Sequence, residues 1–212
     1  MSATTPWPKL GCGLVAILRG VKPGEAVDVA RAVFHAGIEA IEVPLNSPDP
    51  FRSIEAIVKA LPDALVGAGT VLAVEDVDRL AGAGGRLLVS PNVDAAVLER
   101  AHRHGMVTMP GVFTPTECFA ALKAGASALK FFPASVIGPG GIAAIRTVLP
   151  AGTHLAAVGG VSDSDFATYK VAGVGLFGLG SSLYKAGSSP TETGSKAMAA
   201  VATWRRIFGE GL

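Results

Sequence analysis

Lys130 interrupts an apolar run, Ala128-Leu129-Lys130-Phe131-Phe132-Pro133, that otherwise has the character of a buried strand. Burial disfavours an ammonium and lowers the amine pKa, and a neutral amine is the nucleophile that attacks a carbonyl to form a Schiff base. The plainer alternative is a lysine that lays its stem on apolar surface and lifts its head to water. Glu42 is the second residue of interest. In Ala40-Ile41-Glu42-Val43-Pro44-Leu45 the alternation puts Ile41, Val43 and Leu45 on one face and Ala40, Glu42 and Pro44 on the other. The same parity groups Lys130 with Ala128 and Phe132. A carboxylate enclosed with an amine can carry protons for it, although two such groups also make a plain buried ion pair.

These residues recur within a regular alternation of short apolar segments and helical patterns, the latter often stopped at Ala-Gly. Segments 14–19, 40–45, 64–68, 86–90, 107–110, 128–132, 155–158 and 175–179 are expected strands. Each precedes an expected helix, at 23–36, 49–61, 74–83, 94–104, 115–124, 140–149, 163–172 and 193–208. The Ala36-Gly37, Ala83-Gly84, Ala124-Gly125 and Ala172-Gly173 endings suit helices whose next residue turns left-handed. Eight parallel strands with helical crossovers predict a compact (β/α)8 TIM barrel, and no linker or composition shift divides residues 1–212 into further domains. An open doubly wound sheet is the alternative, but the turn after the first strand, Leu18-Arg19-Gly20-Val21-Lys22-Pro23, lacks its glycine pattern.

In a barrel the C-terminal strand ends share one mouth. Those ends carry Arg19, Glu42, Thr70, Asn92, Lys130, Gly159-Gly160 and Gly180-Ser181. Glycine-rich turns after the seventh and eighth strands let backbone N–H groups approach an anion where barrels often bind phosphate, so a phosphorylated substrate is expected.

Composition narrows the partners. Eighteen basic against 17 acidic residues, net +1, give no field for nucleic acid. Cys12 and Cys118 are too few for a disulfide framework, and no apolar run is long enough to span a membrane, so a reducing cytoplasm is expected. His35, His102, His104 and His154 do not cluster, and no metal or other cofactor is expected.

The ordered set Ala16-Ile17-Leu18-Arg19-Gly20, Ile41-Glu42-Val43-Pro44-Leu45-Asn46-Ser47-Pro48, Val66-Gly67-Ala68-Gly69-Thr70-Val71-Leu72, Ser90-Pro91-Asn92, the Lys130 run and Val158-Gly159-Gly160-Val161 resembles the class I aldolases that cleave 2-keto-3-deoxy-6-phosphosugar acids. Asn46, with its neighbours, and Val158 place it nearer the galactonate-derived branch, because the gluconate-type enzymes usually show Thr-Leu-Arg-Thr and a threonine at those places. The resemblance implies pyruvate and D-glyceraldehyde 3-phosphate as products and a homotrimer as the assembly. It implies Lys130 as Schiff-base nucleophile and Glu42 as proton shuttle. Arg19 is the candidate for the substrate carboxylate, a task in which Asn46 replaces a second arginine. Thr70 is expected at the pyruvyl part, Val158 at the C4 hydroxyl, Gly159, Gly160, Gly180 and Ser181 at the phosphate, and Phe132 and Pro133 as pocket walls. A barrel isomerase or epimerase using Glu42 as base, and a non-catalytic phosphosugar sensor, remain as readings from other classes.

Overall fold

A computed structural model describes residues 5–209. In chain order the elements are β1 (Leu14–Ile17), α1 (Pro23–His35), β2 (Ala40–Pro44), α2 (Pro50–Ala60), β3 (Leu65–Gly69), α3 (Val74–Gly82), β4 (Leu87–Val89), α4 (Ala95–Arg103) and β5 (Val107–Met109). They continue with β6 (Gly111–Val112), α5 (Pro115–Lys123), β7 (Leu129–Phe131), α6 (Ala134–Arg146), β8 (Leu155–Val158), α7 (Phe166–Val171), β9 (Leu176–Leu179) and α8 (Pro190–Phe208).

The sheet is wholly parallel, in the order β5-β4-β3-β2-β1-β9-β8-β7-β6. The expected fifth strand, 107–110, is β5, and a further short strand that the sequence pattern did not indicate, β6, follows it. Pro110 has no N–H to donate, so the ladder breaks there. β5 pairs with β4 and β6 pairs with β7. Hydrogen bonds from Ala128 N to Thr108 O (3.1 Å) and from Lys130 N to Pro110 O (3.0 Å) then close the ring on this one stretch of chain. Counted this way, nine strand segments occupy the eight positions of a barrel.

Two apolar clusters follow from strand alternation. Ile41, Val43, Leu129 and Phe131 pack outward with helix residues such as Val29, Val33 and Ile54. Val15, Ala40, Leu65, Leu87, Val107, Ala128, Ala156 and Leu176 point inward at the N-terminal ends of their strands, and Trp7 closes that end. Ala40 and Ala128 thus settle the parity of their strands, because Glu42 and Lys130, two residues on, face the same interior.

A short helical turn from Ala134 precedes the expected sixth helix, and the two are separated at Gly138, whose φ of 69° and ψ of 164° are not helical, just before Pro139. The expected helix from 163 opens instead as a 3₁₀ turn, Asp163–Asp165, in which Asp165 accepts from the N–H and hydroxyl of Ser162.

The Trp7 plug is tested by Trp7→Ala. Deleting this buried side chain should lower the unfolding free energy in urea by about 3 kcal/mol or more. The strand ends that carry the candidate site residues lie at the other mouth, so kcat/KM of the folded fraction for the expected reaction should stay within about two-fold, roughly 0.4 kcal/mol. An unchanged urea midpoint would show that Trp7 does not belong to the barrel core.

Candidate active site

Glu42 and Lys130 are 3% and 6% exposed. β2 and β7 lie four positions apart by either route around the ring, through β1, β9 and β8 or through β3, β4 and the β5/β6 stretch. Their side chains therefore enter the interior from opposite walls. Among the described residues no ion pair joins them, and Glu42 Oε2 is buried without a hydrogen-bond partner. A pair kept for structure would be in contact, because an uncompensated buried charge is costly. The two groups instead act on one another through their charges without direct contact.

Burial is the main influence on both. It pushes the Glu42 carboxyl up to about 7, against the opposing pull of Lys130 and Arg19. It pushes the Lys130 amine down to about 8, opposed by Glu42 and assisted by Arg19. Lys130 Nζ stands 4.7 Å from the centroid of the Phe132 ring, which gives a protonated amine some cation–π stabilisation.

Glycine makes room for the carboxylate. A Cβ at Gly69 would lie 1.9 Å from Glu42 Oε2 and 2.3 Å from its Cδ, so any side chain at 69 must displace the carboxylate. The next residue, Thr70, has φ 58°. A β-branched residue in the left-handed region is strained, and such strain persists where the surrounding structure enforces it.

Arg19 follows β1, and its Nη1 donates to Asn46 Oδ1 at 2.6 Å. Asn46 thus orients the guanidinium where a second arginine would repel it. Gly20 N donates to Ser47 Oγ at 2.9 Å, tying the same two loops together.

A cavity of about 600 Å³ opens at this mouth. Its lining brings together Arg19, Phe132, Val158, Gly159, Gly160, Gly180 and Ser181 from the sequence reading. Gly159 and Gly160 have φ of 91° and 71°, conformations that glycine adopts without the cost of a Cβ. Thr70 does not line this cavity and follows Gly69 at the end of β3, while Asn92 is exposed. Lys130 lies under Phe132. Ser162, Ser182 and Lys185 also line the cavity but were not singled out by the sequence. The two serines follow the glycine turns directly, and Lys185 lies five residues beyond Gly180 in a segment without regular pattern. Ser182 Oγ donates to Val161 O at 3.2 Å and so links the two turns.

A second cavity, of about 570 Å³, lies at the opposite end beside Arg146, His154 and Gly175. No buried ionisable pair accompanies it. Among the described residues no three His, Cys, Asp or Glu side chains converge as a metal site, and His102 and His104 are engaged separately by Ala124 O and Asp78.

A model of the family described as KDPG and KHG aldolase matches residues 11–196. The chain belongs to that family. It is 58% identical over 205 residues to a probable 2-dehydro-3-deoxy-6-phosphogalactonate aldolase of Rhizobium meliloti, covering 96% of this chain and 97% of that protein. It is 50% identical over 193 residues to the 2-dehydro-3-deoxy-6-phosphogalactonate aldolase of Escherichia coli K12, covering 91% and 94%. A solved structure described as native KDPGal superposes with a TM-score of 0.93 at 47% identity, covering 95% of this chain and 98% of that one. A family of aldolases fits a barrel whose mouth carries an enclosed amine and an enclosed carboxylate.

The two groups titrate as a pair, so pH dependence follows from the number of protons they share. Below the Glu42 value both are protonated and Lys130 is no nucleophile; above the Lys130 value both are bare and no acid remains to assist loss of water. kcat/KM should therefore be bell-shaped, with its maximum between about 7 and about 8. Glu42→Gln should lower turnover by roughly 10²–10⁴-fold and abolish the alkaline limb, leaving a rise to a plateau as Lys130 loses its proton. A bell that survives unchanged in Glu42→Gln would remove Glu42 from the proton transfer.

Gly69→Ala tests the space beneath the carboxylate. The variant should fold and lose turnover by at least about ten-fold, the scale of a misplaced general acid/base. Wild-type kcat would show that the carboxylate position is not limiting.

Proposed function

We propose that this chain is a class I aldolase that reversibly cleaves 2-dehydro-3-deoxy-6-phospho-D-galactonate to pyruvate and D-glyceraldehyde 3-phosphate. The observation that carries the reading is the enclosed, unpaired Lys130 amine opposite an enclosed carboxyl of matched proton affinity. The names of the relatives supply the substrate.

Lys130 Nζ attacks the C2 ketone to give a carbinolamine, and Glu42 protonates the departing hydroxyl so that an iminium forms and water leaves. The Glu42 carboxylate then takes the C4 hydroxyl proton. The C3–C4 bond breaks, its electron pair moves into the iminium to give an enamine, and D-glyceraldehyde 3-phosphate departs. Protonation of the enamine at C3 and hydrolysis of the resulting iminium release pyruvate and restore the amine. Arg19, aimed by Asn46, takes the carboxylate through its planar guanidinium. Thr70 serves the pyruvyl part, while Gly159, Gly160, Gly180 and Ser181 receive the phosphate. The protonated imine is the electron sink, a task that a metal performs in other aldolases. We assign a homotrimer on the family resemblance; exposed Leu72, Phe113, Phe119 and Val136 are apolar surface that such an assembly can cover.

Incubation with pyruvate and borohydride should attach the reduced adduct to Lys130 after digestion and mass spectrometry. Lys130→Met, which nearly preserves the stem's volume, should fold and lose cleavage. Adducts confined to Lys22, Lys123 or Lys170 would sink the assignment. Turnover that a chelator removes and zinc restores would contradict the imine mechanism.

Val158 provides the test of stereochemical preference. Its side chain is 4% exposed and lies in the cavity, where its methyl groups crowd the position of a Gly178 Cβ. Methyl groups leave a C4 hydroxyl of the gluconate configuration without the partner a threonine would offer, a loss of order 1–3 kcal/mol. The wild type should favour the galactonate-derived epimer, and Val158→Thr should shift the ratio of kcat/KM values toward the gluconate-derived one. An unchanged ratio would show that position 158 does not read C4.

A further inference from the structure

We propose that Lys185 supplies the positive charge that binds the phosphate end of the substrate, and that it sets the preference for phosphorylated over unphosphorylated sugar acids. The proposal rests on the aldolase reading for its substrate but not for the anion it binds. Among the described residues lining the 600 Å³ cavity, the charged side chains are Arg19 and Lys185, both cationic. Arg19 is committed to the reacting end: it bonds Asn46 and its charge acts on both Glu42 and Lys130. Lys185 faces the cavity with Gly159, Gly160, Gly180 and Ser181, and no carboxylate among the described residues forms an ion pair with it. A substrate with an anion at each end meets a cavity with a cation for each.

The backbone around Lys185 is held on both sides. Leu183 N and Tyr184 N both donate to Gly180 O at 2.9 Å, and Ser188 N donates to Lys185 O at 2.8 Å. Tyr184 is buried, and its hydroxyl donates to Glu25 Oε1 at 3.1 Å, the atom that also accepts from Lys22 N at the start of α1. This cross-strut fixes the root of Lys185, an exposed residue in the cavity lining. Glycine turns supply backbone N–H groups, which orient a phosphate; a dianion also gains from a full countercharge nearby.

The first measurement is titration of inorganic phosphate into wild type, Lys185→Gln and Lys185→Arg. The Gln variant should bind about ten-fold more weakly, the scale of one charge-assisted hydrogen bond, and Arg should recover most of the loss. The second is kcat/KM with the phosphorylated substrate and with its dephosphorylated counterpart. In Lys185→Gln the ratio of the two should fall by about the same factor. Equal phosphate affinity in wild type and Lys185→Gln, or a loss of kcat/KM equal for both substrates, would overturn the proposal. Pyruvate trapping at Lys130 reports the aldolase reading separately, so a failure of one is distinguishable from a failure of the other.

Discussion

Two ionisable groups are kept out of water on opposite walls of one barrel, and most of the site exists to hold them there. Burial works against both charges: it raises the Glu42 carboxyl from 4.5 to about 7 and lowers the Lys130 amine from 10.5 to about 8. The stability consequence has a definite sign. Between 4.5 and about 7 the folded chain binds the Glu42 proton more tightly than the unfolded chain, so this group's contribution falls as pH rises through that window. Between about 8 and 10.5 the unfolded chain holds the Lys130 proton more tightly, so stability rises with pH there. The interval between the two windows is where the pair costs the fold most. It is also where the pair holds the one proton that its chemistry requires.

The surrounding structure can be understood as support for that cost. Inward apolar residues and Trp7 fill the far end of the barrel, so that end is closed beneath the buried charges. Gly69 withholds a side chain where the carboxylate lies. Asn46 steers Arg19 without adding a second cation, which would pull the carboxyl down and the amine down with it. The loops after β1 and β2 are tied by the Gly20–Ser47 bond and those after β8 and β9 by the Ser182–Val161 bond, so the mouth is braced in two pairs of loops.

Much of this was legible in the sequence for a simple reason: strand parity and helix stops are local signals. Lys130 and Glu42 stand out because a charge in an apolar run violates the local pattern, and Ala128 and Ala40 carry the parity that turns both inward. The glycine turns after β8 and β9 were equally visible. The short β6 beyond Pro110 and the helical turn before Gly138–Pro139 were not visible, for the opposite reason. Proline breaks a ladder or a helix locally, and whether the element resumes beyond it depends on neighbours distant in sequence. Gly69 and Lys185 were hidden for the same cause. Gly69 matters because of an atom on the adjacent strand, and Lys185 because of a strut that joins the loop after β9 to the start of α1.

The break at Pro110 also has a mechanical meaning. The carbonyl that closes the ring at this point accepts the backbone N–H of Lys130 itself, so the proposed nucleophile is mounted on the barrel's seam. Its counterpart, Glu42, sits on the far wall, with β1, β9 and β8 between them on one side and β3, β4 and the β5/β6 stretch on the other. The circumference of the barrel at that seam is thus a gauge for the distance between amine and carboxyl. Amine and carboxyl are thus carried by backbone on opposed sides of one closed ring, and the width of that ring enters their spacing together with the reach of the two side chains.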